Sequence, residues 1–130
     1  SRCQVENMLM NILVVEDDEL FRKSLMTFIR SLGYEVLAVE SAERAMEKLG
    51  EHPANLLLTD FLLPGLSGIE LAKTIRSSEG IPVILISGFL SDETREKAKE
   101  AGIEAMLRKP TDLTQLAAKL DELLAEGEQL

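Results

Sequence analysis

Cysteine, positive charge and long apolar runs are all scarce in this chain. Cys3 is the only cysteine among 130 residues, so no internal disulfide can form, and a reducing, cytoplasmic setting is the expectation. Lysine and arginine number 14 against 23 acids, for a formal net charge of −9. That balance argues against wrapping nucleic-acid phosphates or binding an anionic membrane surface, and it leaves room for a cationic partner or a bound metal. No apolar run approaches the roughly 18 residues of a membrane span, and no stretch reads as a secretory leader. Internal repeats and low-complexity tracts are absent. So is a basic helix pair after Leu113, as a DNA-reading output domain would need. The single histidine, His52, stands beside Pro53 in a loop and reads as a surface residue, not a ligand or phosphorelay donor.

What is present is a 45% hydrophobic composition, enough for one domain with a packed interior. Residues 1–10 have no clear period and read as a leader or linker, poorly ordered, before a domain over 11–127. Short apolar runs then alternate with helical stripes. The runs are Asn11 to Val15, Tyr34 to Val39, Leu56 to Asp60, Ile81 to Ile86 and Glu104 to Arg108. The first helix carries Phe21, Leu25, Phe28, Ile29 and Leu32 on one face and ends at Gly33; the second is capped by Ser41 and ends at Gly50. Ser67 and Glu70 make a capping box for the third. The fourth, Ser91 to Ala101, has only Ala98 and Ala101 to bury and is expected to belong to the low-stability part of the structure. The last directs Leu113, Leu116, Ala117, Leu120, Leu123 and Leu124 inward.

Five strands alternating with five helices imply an α/β domain on a parallel sheet. The first, third and fourth runs are almost wholly apolar and belong at the centre. Glu35 on the second, and Glu104 with Arg108 on the fifth, mark those two as edges. The order is then 2-1-3-4-5, a flavodoxin-like doubly wound sheet whose reversal lies between strands one and three. Those strands end in Glu16-Asp17 and in Asp60, so the fold gathers three acids that are remote in sequence. Gathered carboxylates repel, and a hard divalent cation such as Mg²⁺ relieves them. A carboxylate there can itself attack phosphorus. Asp18 and Glu19 suit the first turn of a helix instead. Ser87 and Lys109 end the fourth and fifth runs at the same rim, where a hydroxyl and an ammonium suit phosphoryl oxygens. A cis bond at Lys109-Pro110 would aim the lysine inward.

With Ile12 to Asp17, Asp60 followed by Pro64 and Gly68-Ile69-Glu70, then Ser87-Gly88 and Lys109-Pro110, the chain resembles the receiver domain of two-component response regulators from about Asn11 to Leu124. The resemblance implies a phosphoacceptor switch. Asp60 takes a phosphoryl group from a histidine kinase or phosphotransfer protein. Asp17, Asp60 and the Leu62 backbone carbonyl hold Mg²⁺, Glu16 acts mostly through water, and Ser87 and Lys109 contact the phosphoryl oxygens. It further implies a downstream effector domain or protein reading the face of helix 4, strand 5 and helix 5, no direct nucleic-acid or membrane contact, and no product beyond self-phosphorylation and self-dephosphorylation; a homodimer is left open.

Several positions depart from that family. Met106 stands where Tyr or Phe is usual, which suggests looser coupling to the output face. Leu62 and Phe89 occupy places near the acceptor that often hold polar residues, which suggests slow self-dephosphorylation. Thr111 stands where Phe is common, a change the sequence does not explain. Other functions fit less well. An aspartyl-phosphate phosphohydrolase would carry a second acid at Leu62. A flavin or nucleotide carrier would want a Gly- or Ser/Thr-rich loop where Glu16 to Glu19 stand. A non-phosphorylated interaction domain has no need of Asp60, Asp17, Ser87 and Lys109 together.

Overall fold

The computed structural model describes residues 10–128; apart from Met10, the leader expected over 1–10 lies outside them. The elements follow in strict alternation: β1 (Asn11–Val15), α1 (Glu19–Ser31), β2 (Glu35–Val39), α2 (Ala42–Leu49), β3 (Leu56–Asp60), α3 (Gly68–Ser78), β4 (Val83–Ser87), α4 (Asp92–Glu100), β5 (Ala105–Arg108) and α5 (Leu113–Glu128). All strand pairs are parallel, in the order β2-β1-β3-β4-β5. This is the flavodoxin-like winding expected from the placement of charges.

Alternation along each strand splits the apolar side chains between the two faces of the sheet. Leu13, Val15, Leu57, Val83 and Leu85 face α2, α3 and α4, where Ala42, Ala45, Ile69, Leu71, Ala72, Ile75 and Ala98 meet them. Ile12, Val14, Leu56, Leu58, Ile84 and Ile86 face α1 and α5, meeting Leu25, Ile29, Leu116, Leu120 and Leu124. β3 and β4 are buried at every position, which is why they read as unbroken apolar runs. Burying a leucine or isoleucine here contributes about 1.5–3 kcal/mol.

The helix signals hold at the caps. Asp18 caps α1 through the amides of Leu20 and Phe21, Ser41 caps α2, and Ser67 with Glu70 closes the capping box of α3. Gly33 takes φ 98, the left-handed turn that a β-carbon would oppose. α4 buries only Thr94 and Ala98, so its apolar anchoring is as thin as its sequence suggests.

Three expectations need correction. Leu113 is 44% exposed: it is the first residue of α5, ahead of Leu116, where the buried stripe of that helix begins. Ser77 and Ser78 belong to the end of α3, their hydroxyls donating to carbonyls one turn back instead of opening the loop. Glu104 lies outside β5 and is not a free edge charge. Its carboxylate accepts from the Val83 amide at 2.9 Å and from Arg76 Nη1 at 2.5 Å, tying α3 to the starts of β4 and β5.

Candidate functional site

The site forms where four strands end together, because main-chain bonds carry the ladders one step past the strands. The Glu16 amide donates to Val39 O, the Phe61 amide to Ile86 O, and the Lys109 amide to Ser87 O. Asp60 closes β3 and is 7% exposed. Its carbonyl accepts from the Thr59 hydroxyl at 2.9 Å, and Gly68 at the start of α3 lies against that carbonyl so closely that a β-carbon would stand 2.1 Å from the oxygen. Glycine is needed there to let α3 approach the strand.

Glu16, Asp17 and Asp60 each offer a carboxylate oxygen, and these oxygens lie within 4.8 Å of one another. Asp17 is exposed, whereas Glu16 is 2% exposed. Burial pushes the Glu16 carboxyl above the ordinary carboxylate range and the nearby Asp60 charge adds to this, outweighing the hydrogen bonds from the Asp18 amide and Lys109. An all-oxygen set of carboxylates suits a hard cation and not a thiophilic one, so the residues fit a magnesium-type ion.

Lys109 reaches into this cluster from the end of β5. Its ammonium lies 2.9 Å from Asp60 Oδ2 and 3.0 Å from Glu16 Oε1, beside a cis Lys109–Pro110 bond. Burial disfavours its charge, but the hydrogen bonds to Asp60 and Glu16 outweigh that and hold its pKa above the ordinary value. Ser87 is buried at the same rim, with its hydroxyl bonded to the Phe89 main chain. The Leu62 amide donates to Asp60 Oδ1 at 3.4 Å, and the Leu62 side chain is 67% exposed. Glu16, Asp17, Asp60, Ser87 and Lys109 therefore stand at one rim. His52 is exposed in the loop before β3, at the sheet's other end, as expected.

Two residues at the rim escape sequence reading. Arg22 Nη1 donates to Glu16 O at 2.8 Å and Asp17 O at 3.5 Å, pinning the loop that carries both acids. Phe21, read as a core residue, also places its ring under the Lys109 ammonium at 4.8 Å. A charged residue beside the first-helix stripe was the one available signal for Arg22. Thr111 Oγ1 is buried without a hydrogen-bond partner among the described residues. Met106 is half-buried and packs against the α2–α3–α4 face.

A five-stranded, flavodoxin-like parallel sheet with an acid cluster and a lysine at its carboxyl rim is the class of domain that the fold and the site define. The family described as the response regulator receiver domain matches residues 12–121, and the chain belongs to it. The polar-differentiation response regulator DivK of Brucella ovis is 30% identical over 120 residues, covering 90% of this chain and 98% of DivK. Response regulator RR06 of Streptococcus pneumoniae is 30% identical over 115 residues, and there the match covers 88% of this chain but only 53% of RR06. A CheY-like receiver domain from Methanospirillum hungatei superposes with a TM-score of 0.88 at 30% identity, covering 92% of this chain and 97% of the other. Among the described residues no helix is long and apolar enough to cross a membrane.

Proposed function

We propose that this domain is a phosphoacceptor switch in which Asp60 takes a phosphoryl group from a histidine kinase or phosphotransfer protein in the cytoplasm. The observation that supports it best is the Lys109 ammonium held 2.9 Å from Asp60 Oδ2 within a three-carboxylate cluster. In the transfer, an Asp60 carboxylate oxygen forms a bond to phosphorus as the phosphorus–nitrogen bond of the donor breaks, and the departing imidazole takes its proton from solvent. Asp17, Asp60 and the Leu62 carbonyl would hold Mg²⁺, with Glu16 assisting through water. The ion supplies neutralisation of the charge gathered at the acceptor. Lys109 meets the phosphoryl oxygens as a compact cation, and Ser87 offers them its hydroxyl.

Ser87 can donate to a phosphoryl oxygen only by giving up its bond to Phe89 O. That exchange would move the segment leading into α4, the helix with the least apolar anchoring. The face of α4, β5 and α5 then changes and is read by an effector domain or protein. Met106, without an aromatic ring or hydroxyl, makes that coupling loose. An α4–β5–α5 face identical with and without a phosphoryl mimic would show that the coupling is absent. The domain turns over no external substrate.

Incubation with acetyl phosphate and Mg²⁺, followed by intact mass, tests the acceptor. One added phosphoryl group on the wild-type chain and none on Asp60→Ala is the expected result. An unmodified wild-type chain, or equal modification of both, would overturn the reading.

A further inference from the structure

Lys109 is held by more than its two carboxylates. Its ammonium also lies over the Phe21 ring, 4.8 Å from the centroid. The face of an aromatic ring carries negative partial charge and attracts a cation. The ring's own position is set independently. Phe21 lies in the first turn of α1, its amide bonds to the capping Asp18 carboxylate at 3.4 Å, and its side chain packs on the α1–α5 core.

Lysine needs such a limit. Its four-carbon stem turns freely, and this one is still 28% exposed. Glu16 and Asp60 take the ammonium at 3.0 and 2.9 Å, two contacts for a group with three donors on a flexible stem. The ring closes a third side with a surface that favours cation over water. The core role of Phe21 accounts for a hydrophobic side chain at this position, and leucine would serve it equally. It leaves the cation contact unused.

We propose that Phe21 is a positioning residue for Lys109: its aromatic face keeps the ammonium in the mouth between Glu16 and Asp60, ready for incoming phosphoryl oxygens. The inference rests on the reading of Asp60 as phosphoacceptor.

The test is the rate of phosphoryl uptake from acetyl phosphate with Mg²⁺, followed by intact mass into the slow regime. It compares the wild type, Phe21→Leu, Phe21→Met, Phe21→Tyr, Lys109→Gln and the Phe21→Leu/Lys109→Gln pair. Loss of the ring should slow uptake about threefold to fivefold in both apolar variants, and Phe21→Tyr should restore it. In the Lys109→Gln background Phe21→Leu should have no further effect. A structural readout runs alongside. Ring current should shift the Lys109 side-chain proton resonances in the wild type and in Phe21→Tyr, and release them in Phe21→Leu. A wild-type chain that takes up no phosphoryl group overturns the acceptor reading and this inference with it. Normal wild-type uptake combined with unslowed Phe21→Leu and Phe21→Met, an equally slow Phe21→Tyr, an equal slowing in the Lys109→Gln background, or unshifted Lys109 resonances overturns the inference alone.

Discussion

The Ser87 hydroxyl and the Phe89 main chain exchange two hydrogen bonds: Ser87 Oγ donates to Phe89 O at 3.0 Å and accepts from the Phe89 amide at 3.1 Å. The buried hydroxyl thus closes the turn after β4, and it is the group proposed to meet the phosphoryl oxygens. Ser87→Ala removes both bonds. The expected cost is about 1 kcal/mol of stability, with roughly fivefold faster hydrogen exchange at the Phe89 amide and slower phosphoryl uptake. Unchanged exchange at Phe89 would mean that the turn does not depend on the hydroxyl.

Glu16 makes the unphosphorylated domain pH-sensitive in a defined direction. Its folded pKa is raised above the ordinary 4.5, chiefly by burial. A raised pKa contributes stability below the unfolded value, and that contribution is lost as pH rises through the folded one. Glu16→Gln cannot titrate. The wild type should therefore gain on Glu16→Gln as pH falls through the raised folded value toward the ordinary 4.5, measured by urea unfolding at each pH. A gap that stays constant, or moves in favour of Glu16→Gln on acidification, would contradict this.

Asp17 is the exposed member of the acid cluster, within 4.8 Å of the other two at the carboxylate oxygens. Without metal, Asp17→Asn should stabilise the domain by about 1 kcal/mol through relieved repulsion. With Mg²⁺ the order should reverse, since the wild type gains from the ion by mass action and the variant does not. Thermal melts with and without Mg²⁺ decide it, and an equal Mg²⁺-induced shift in both proteins would count against Asp17 as a ligand.

Gly68 and Gly50 should answer an added methyl group in opposite ways. At Gly68 the β-carbon would meet Asp60 O at 2.1 Å, whereas at Gly50, with ordinary helical φ of −68°, the nearest atom is at 3.4 Å. Gly68→Ala should cost about 1–3 kcal/mol and slow phosphoryl uptake by displacing the acceptor's main chain. Gly50→Ala should be neutral or gain up to about 1 kcal/mol. Equal melting temperatures for the two variants would show that the close approach is unimportant.

Leu62, two residues after Asp60, and Phe89, two residues after Ser87, present apolar side chains, each 67% exposed. Neither can orient an attacking water, so phospho-Asp60 should hydrolyse slowly once the donor is removed. Leu62→Asn should shorten its lifetime. A wild-type lifetime of seconds, read by intact mass over time, would be the contrary result.

The sequence by itself determined the winding and which residues stand at the carboxyl rim of the sheet. Five apolar runs, of which three are almost wholly apolar and two carry further charges, leave little choice of strand order. That order forces Glu16, Asp17, Asp60, Ser87 and Lys109 to one rim because each stands at a strand end. Caps at Ser41 and Ser67 were equally legible, since capping is local chemistry within one turn, while Asp18, expected in the first turn of α1, is its cap. Only the tertiary structure decided what those groups touch. Lys109 is shared between Glu16 and Asp60 over the Phe21 ring, Arg22 pins the acidic loop, and Glu104 is spent on Arg76 and the Val83 amide. These contacts join residues from different elements through side chains of several rotatable bonds. Periodicity fixes which face a residue occupies, but not where a long side chain on that face ends.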